Sequence, residues 1–282
     1  MGYIFTTGTC LKSDVYSVIK NSLINAGWEN KSSNATSDYD VFYSTGESGD
    51  KKLVFQMRAT DITDKNSIIS TDYCTASLRL VESYTPGSNG AAGTVGRPSE
   101  PWKYFMVAPS SGTLSKDTTM TYRINVNKNR LIIIIESPSA TGLGCVMNYI
   151  GIPDEIYADE PDSRGLIFAT TSRADVASNL LISNSPVNIA PATSATVRPI
   201  IVNLSPKNPN TQGLYMLSEF YYGNTSEGTR GKLTGVYGLP NDNVLHGSII
   251  EDGARQYFVV VPGVFSSNTF GSAALAIEVT GY

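Results

Sequence analysis

A single histidine, His246, stands in a chain of 282 residues. General acid–base catalysis draws on histidine more than on any other side chain, and a metal site needs several nitrogen, sulfur or carboxylate ligands. His246 lies in NDNVLHGS beside Gly247, and the chain has no GxSxG elbow, no HExxH and no P-loop pattern. It therefore reads as a structural or surface residue. Cysteine is also scarce: Cys10, Cys74 and Cys145 are odd in number and far apart. They fit neither a disulfide framework nor a metal cluster, and read as small buried thiols of a protein made in a reducing cytoplasm. No enzymatic activity is expected.

Charge is thin as well. Asp, Glu, Lys and Arg make up 16% of the chain, against about a quarter in ordinary globular domains. The 21 basic and 25 acidic residues are scattered, for a net charge of −4. Without a basic stripe to neutralise phosphates, direct nucleic-acid binding is not expected. No apolar run approaches the ~20 residues needed to cross a bilayer, so no membrane association is expected either. The opening MGYIFTTGTC lacks the basic-then-apolar order of a signal peptide. No cofactor is expected. GAAGTVG (90–96) has GxxGxxG spacing where a dinucleotide site wants GxGxxG, and prolines follow where its helix would begin. The acidic residues Asp154, Glu155, Asp159, Glu160 and Asp162 match no calcium loop and read as a solvated acidic loop.

What the chain does have is Ser, Thr, Asn, Gly and 16 tyrosines, with hydrophobic residues at 41%. That mixture suits strands, turns and wet protein contacts. In LKSDVYSVIKNSLINAGW, Val15, Val18, Ile19, Leu23 and Ala26 recur at helical spacing. Ser13 or Asp14 is placed to cap the helix and Gly27 to end it. DYDVFYS, KKLVFQMRA, CTASLRLVES and WKYFMVAPS read as strands, and Ser83–Pro101 as a long loop ordered only by a neighbour, if at all. YRINVN and RLIIIIES form a hairpin around Lys128-Asn129. Side chains on a strand alternate between faces, so four consecutive isoleucines, Ile132 to Ile135, require cover on both sides. RLIIIIES is thus an inner strand near the centre of its sheet.

IPDEIYADEPDSRG (152–165) is acidic and loop-like, and marks a candidate boundary between lobes 1–160 and 161–282. Beyond it, RADVASNLLIS is a short helix or an irregular stretch. PVNIAPATSATVRPIIVNLSPKNPN is strand broken by prolines, which belong on sheet edges. GLYMLSEFYYG, GKLTGVYGLP, GSIIEDGARQYFVVVPG and AALAIEVTG are strand-like, with a tight turn at Asp252-Gly253. The fold class is α+β, predominantly antiparallel β, with one N-terminal amphipathic helix and two β-rich lobes. Tyrosine combines a large apolar body with a polar tip and is enriched at interfaces. Strand packing accounts for most of the aromatic clusters. The rest form a candidate interface of Trp102, Tyr104, Tyr215, Tyr221 and Tyr222.

Several of these pieces resemble one family. They are the helix ending in AGW, the KLVFQMR strand, MTYRINVNKNRLIIIIESPSATGLGCVMNYIGIPDEIYADE (120–160) and GKLTGVYGLPNDNVLHGSIIEDGARQYFVVV (231–261). The second-last runs from a hairpin ending in a very apolar strand, through small residues, to the aromatic-Gly-Pro segment Asn148–Pro153. The last is a strand–loop–hairpin close. Together they resemble the virion structural proteins of tailed bacteriophages over about half the chain. The resemblance implies a non-enzymatic component of the tail, neck (collar) or baseplate of a phage or phage-tail-like particle. It implies synthesis in the host cytoplasm, a place in the virion, and partners that are other virion proteins and copies of itself. A receptor- or glycan-binding module at the tail tip is the alternative. A glycan-degrading enzyme would need two facing carboxylates, which no spacing here suggests.

Overall fold

The computed structural model describes residues 4–32, 39–59, 74–88, 91–98, 103–108, 114–139, 142–151, 154–155, 166–170, 182–183, 198–200, 213–224, 228–239, 244–261, 263–265 and 274–279. Among them, antiparallel strands form three sheets, with one α-helix, α1 (Val15–Asn25). The central sheet runs β1 (Ile4–Leu11), β8 (Thr119–Val126), β9 (Arg130–Ser139), β10 (Gly142–Gly151), β12 (Leu166–Ala169) and β13 (Ile182–Ser183), and β19 (Gly263–Phe265) also pairs with β10. The N-terminal sheet runs β2 (Glu29–Asn30), β3 (Asp40–Ser44), β4 (Leu53–Ala59), β5 (Cys74–Thr85) and β6 (Thr94–Pro98), with β7 (Lys103–Met106) also on β5. The C-terminal sheet runs β14 (Arg198–Ile200), β15 (Ser218–Asn224), β16 (Gly228–Leu239), β20 (Ala274–Glu278), β18 (Arg255–Val260) and β17 (Ile249–Asp252), with β11 (Asp154–Glu155) on β16.

The isoleucine run explains the layering. Ile133 and Ile135 join Ile124, Val146 and Ile150 in a core shared with Phe42, Phe55, Met57 and Leu78 of the N-terminal sheet and with Val15, Ile19 and Leu23 of α1. Ile132 and Ile134 point the other way, into a second core with Met147, Tyr149, Val236, Phe258, Val260 and Ile277. All four isoleucines are at most 1% exposed. The central sheet therefore lies between two layers, and each isoleucine contributes about 1.5–3 kcal/mol by leaving water. β9 is the third strand from one margin, an inner position as its composition requires.

The β8–β9 turn is held by side chains. Asn127 Oδ1 accepts the N–H groups of Asn129 (2.8 Å) and Arg130 (3.0 Å), closing the two-residue turn at Lys128-Asn129. The tip is clasped by the β3–β4 turn. Ser44 Oγ donates to the Lys128 carbonyl (2.5 Å), the Lys128 N–H to Glu47 (3.0 Å), and the Glu47 N–H to Asn129 Oδ1 (2.8 Å). Trp28 Nε1 donates to the Asn127 carbonyl (2.8 Å) while its ring meets Phe55 edge-on.

Helix α1 buries Val15, Ile19 and Leu23, the stripe its spacing predicts, and Gly27 follows it at φ 88°. Its start differs from expectation. A 3-10 turn over Lys12–Asp14 leads into it, and Asp14 at the N-cap makes no side-chain capping bond. The helix is fastened instead to β3. Asp40 accepts Lys20 (2.9 Å), Asn30 (2.8 Å) and the Tyr16 hydroxyl (2.8 Å). Burial pushes the Asp40 carboxyl up, and these bonds outweigh it and hold it below the usual carboxylate value.

Three further expectations change. The segment 83–101 is not a plain loop: β5 extends to Thr85 and β6 returns over Thr94–Pro98. Tyr84 opposite Val95 supplies the cross-strand contact that composition hid. The second hairpin turn sits one residue later than expected, because Asp252 pairs with Arg255 and leaves Gly253-Ala254 between them. The 160/161 boundary does not follow a sheet boundary. β12, β13 and β19 join the central sheet from beyond it, and β11 joins the C-terminal sheet from before it. Most of 152–165 and of the stretches RADVASNLLIS and 186–210 lies outside the described residues. Of the last, Arg198–Ile200 is a marginal strand carrying Pro199, the edge position that proline calls for.

Candidate functional site

The face between the central and C-terminal sheets gathers the groups with most chemical potential. In the register of the central sheet, Arg123, Asn125, Arg130, Glu136, Cys145 and Tyr149 lie on the same side as Ile132 and Ile134. The middle of this face is apolar, and polar clusters occupy its two ends.

At one end, His246 from the loop before β17 places Nε2 2.9 Å from Glu136 Oε1, both side chains being buried, and Arg123 also donates to Glu136. The His246 Nδ1 accepts the Val261 N–H at 3.1 Å. A ring nitrogen that accepts an N–H carries no proton, so the neutral imidazole keeps its proton on Nε2 and donates it to the carboxylate. Phe258 closes the cluster, edge-on to His246 and beneath the Arg123 guanidinium at 4.4 Å. Burial pushes the Glu136 carboxyl up, but the His246 hydrogen bond and the Arg123 charge hold it below the usual range.

Cys145 stands directly opposite Glu136 across β9 and β10, which brings cysteine, histidine and carboxylate into one neighbourhood. It does not make a nucleophilic site. Burial, then the charge of Glu136, pushes the thiol far up, and the side chain is fully buried. The sulfur stays a thiol, and both imidazole nitrogens are committed to other partners. What the arrangement does is fasten the C-terminal sheet to β8 and β9. The structural reading of His246 thus acquires a partner that sequence spacing could not show, since Glu136 lies 110 positions away.

At the other end, Arg130 is a fully buried guanidinium, 2% exposed, whose charge acts on the Glu278 carboxyl. Asn125 Nδ2 donates to the Glu278 backbone carbonyl at 2.6 Å. Burial pushes the Glu278 carboxyl above its usual value, against the pull of Arg255 and Arg130. Room for Arg130 comes from Gly235, at φ 76°, where a β-carbon would lie 2.3 Å from Nη2. Gly235→Ala combines left-handed strain with displacement of a buried charge. It should lower stability by at least about 2 kcal/mol in chemical denaturation. A loss below about 0.5 kcal/mol would show that Arg130 can move aside.

Among the described residues singled out from sequence, Tyr104 and the pair Tyr221 and Tyr222 lie on different sheets. Trp102 lies outside the described residues. Tyr104 is on β7, opposite Ser77, while Tyr221 and Tyr222 are on β15, opposite Lys232 and Gly231. Tyr215 is partly buried and packs, with Leu217 and Tyr237, on a third core over the outer face of the C-terminal sheet. Its neighbours face solvent instead: Leu214 is 63% and Met216 52% exposed. Leu245 and Ile249, beside the Val244 and Ile250 members of that core, are 47% and 50% exposed.

A cluster missed in the sequence lies on the outer face of the N-terminal sheet. There Tyr39, Tyr43 and Tyr84 pack on Val41, Val54 and Val81, with Lys31 Nζ 4.9 Å from the Tyr43 ring centre. The alternation in DYDVFYS was its only sequence signal. Among the described residues, no three His, Cys, Asp or Glu side chains converge to hold a metal, and no helix is long and apolar enough to cross a membrane. Of the acidic run, Asp154 and Glu155 form β11, and Asp159, Glu160 and Asp162 lie outside the described residues. Comparison with protein-family models and with curated proteins gave no match.

Proposed function

We propose that this chain is a non-enzymatic structural subunit of a tailed bacteriophage or phage-tail-like particle. It assembles in multiple copies on the tail, neck (collar) or baseplate through protein–protein contacts. The resemblance of residues 120–160 and 231–261 supports the class of particle. The observation that carries a docking role is the set of large apolar side chains left exposed around one core: Leu214, Met216, Leu245 and Ile249. Large apolar groups left exposed around one core are what protein contacts cover. The histidine–carboxylate pair supports the same reading, because its polar atoms are turned to each other inside the fold.

Mass spectrometry of purified particles should detect the protein at a stoichiometry of several copies. A cryo-EM map should show Leu214 and Met216 covered by a neighbour. Absence from particles would overturn the proposal. Saturable binding to cell-wall polysaccharide, lost on Tyr43→Ala, would instead favour the receptor-binding alternative.

A further inference from the structure

We infer that β1 is a joint between two copies of this chain, which pair antiparallel through it and continue the central sheet across a two-fold axis. The inference rests on the multi-copy assembly proposed above and identifies one contact of that assembly.

An open sheet edge invites another strand, and natural proteins blunt such edges with charge, proline, bulges or short length. Among the described residues the other margins follow that rule. β2 and β13 have two residues each, β14 contains Pro199, β17 carries Glu251 and Asp252, and β6 carries Arg97 and Pro98. β1 does not. Its eight residues, IFTTGTCL, contain neither charge nor proline, and they pair with β8 without a break in register. Among the described residues β1 has a neighbour on one side only. Thr6, Thr7, Thr9 and Leu11 are exposed.

The hydrogen-bond phase shows which groups are offered. Lys12, which follows the Leu11–Thr119 pair, donates its N–H inward to the Thr118 carbonyl at 2.8 Å. Antiparallel pairing alternates, so Thr6, Gly8 and Cys10 also bond inward, while Phe5, Thr7, Thr9 and Leu11 turn N–H and C=O outward. These outward residues are arranged almost symmetrically about Gly8. In a two-fold pairing centred there, Thr7 exchanges bonds with Thr9 of the second copy and Phe5 with Leu11. Threonine then meets threonine, and a large apolar side chain meets another, with no charge opposed. Between the exchanging pairs, Thr6 faces Cys10 of the second copy and Gly8 faces Gly8. Tyr122 lies over Gly8, where a β-carbon would be 2.6 Å from its hydroxyl, so two Tyr122 rings would roof the centre of the joint.

The register gives a test that other pairings fail. The Thr6→Cys variant places a thiol opposite Cys10 of the second copy, whereas residues 6 and 10 within one strand are about 13 Å apart, too far to bridge. Oxidation should convert this variant to a covalent dimer on a non-reducing gel, and adding Cys10→Ser should abolish it. Thr7→Pro removes an outward N–H without touching the β1–β8 bonds. It should raise the dimer dissociation constant at least about tenfold in sedimentation, with the thermal midpoint unchanged at concentrations where both chains are monomeric. A wild-type chain that sediments as a monomer throughout, or a dimer that neither Thr7→Pro weakens nor Thr6→Cys locks, overturns the inference. Particles containing the protein without the Thr6→Cys bridge would sink this joint alone. A bridged dimer missing from particles would sink the proposed function alone.

Discussion

Ile133→Ala and Ile134→Ala each lower unfolding free energy by about 2–5 kcal/mol, although the two side chains point in opposite directions. On a strand with one wet face, only one of two neighbouring substitutions would cost this much, since the other side chain would already meet water. Here Ile133 is packed toward Phe55 and α1, and Ile134 toward Phe258 and Ile277. Neither cavity can be refilled by a small strand movement, because shifting β9 to relieve one face opens the other. Equilibrium denaturation of the two variants, with Ile133→Val and Ile134→Val as milder controls, checks this. A loss under about 0.5 kcal/mol at either position would mean that one covering layer is loose.

Glu136→Ala should cost about 3–5 kcal/mol at neutral pH, because it strands the buried His246 ring and the Arg123 guanidinium at a sheet interface. Glu136→Gln should cost less, since an amide oxygen still accepts the Nε2 proton. The pH dependence follows from the lowered carboxyl value. A carboxylate whose folded value lies below its unfolded one stabilises the fold above the unfolded value of about 4.3. That contribution fades as pH falls toward the folded value. The stability gap between wild type and Glu136→Ala should therefore be widest at neutral pH and narrow in acid. A gap independent of pH between neutrality and strong acid would show that Glu136 acts through packing rather than charge.

Where the sequence carried a strong period, it carried the structure. The helix stripe, the β8–β9 hairpin and the two-sided burial of Ile132 to Ile135 followed from side-chain spacing, because each depends on local geometry. β1 did not follow. IFTTGTCL has no apolar alternation, since a margin strand with exposed threonines has little to bury. The β5–β6 hairpin was hidden by glycines and prolines, and the tie between His246 and Glu136 by sequence distance. Low-charge composition pointed to contacts between proteins, but not to the residues that make them. Tyr215, chosen for its ring, turns inward, while Leu214 and Met216 beside it stay outside. Alternation across an irregular segment is visible only once the surface beneath it is known.

The order of strands in the central sheet bears on how the chain matures during translation. β1 leaves the ribosome well before its neighbour β8, which follows only after α1 and the whole N-terminal sheet have been synthesised. The second face of β9 is not covered until β16, β18 and β20 emerge, well after β9 itself. A nascent chain halted before them presents greasy isoleucines and an unblunted border together, a natural target for holdase chaperones. The middle layer of the fold thus closes only after both of its covering layers have been made.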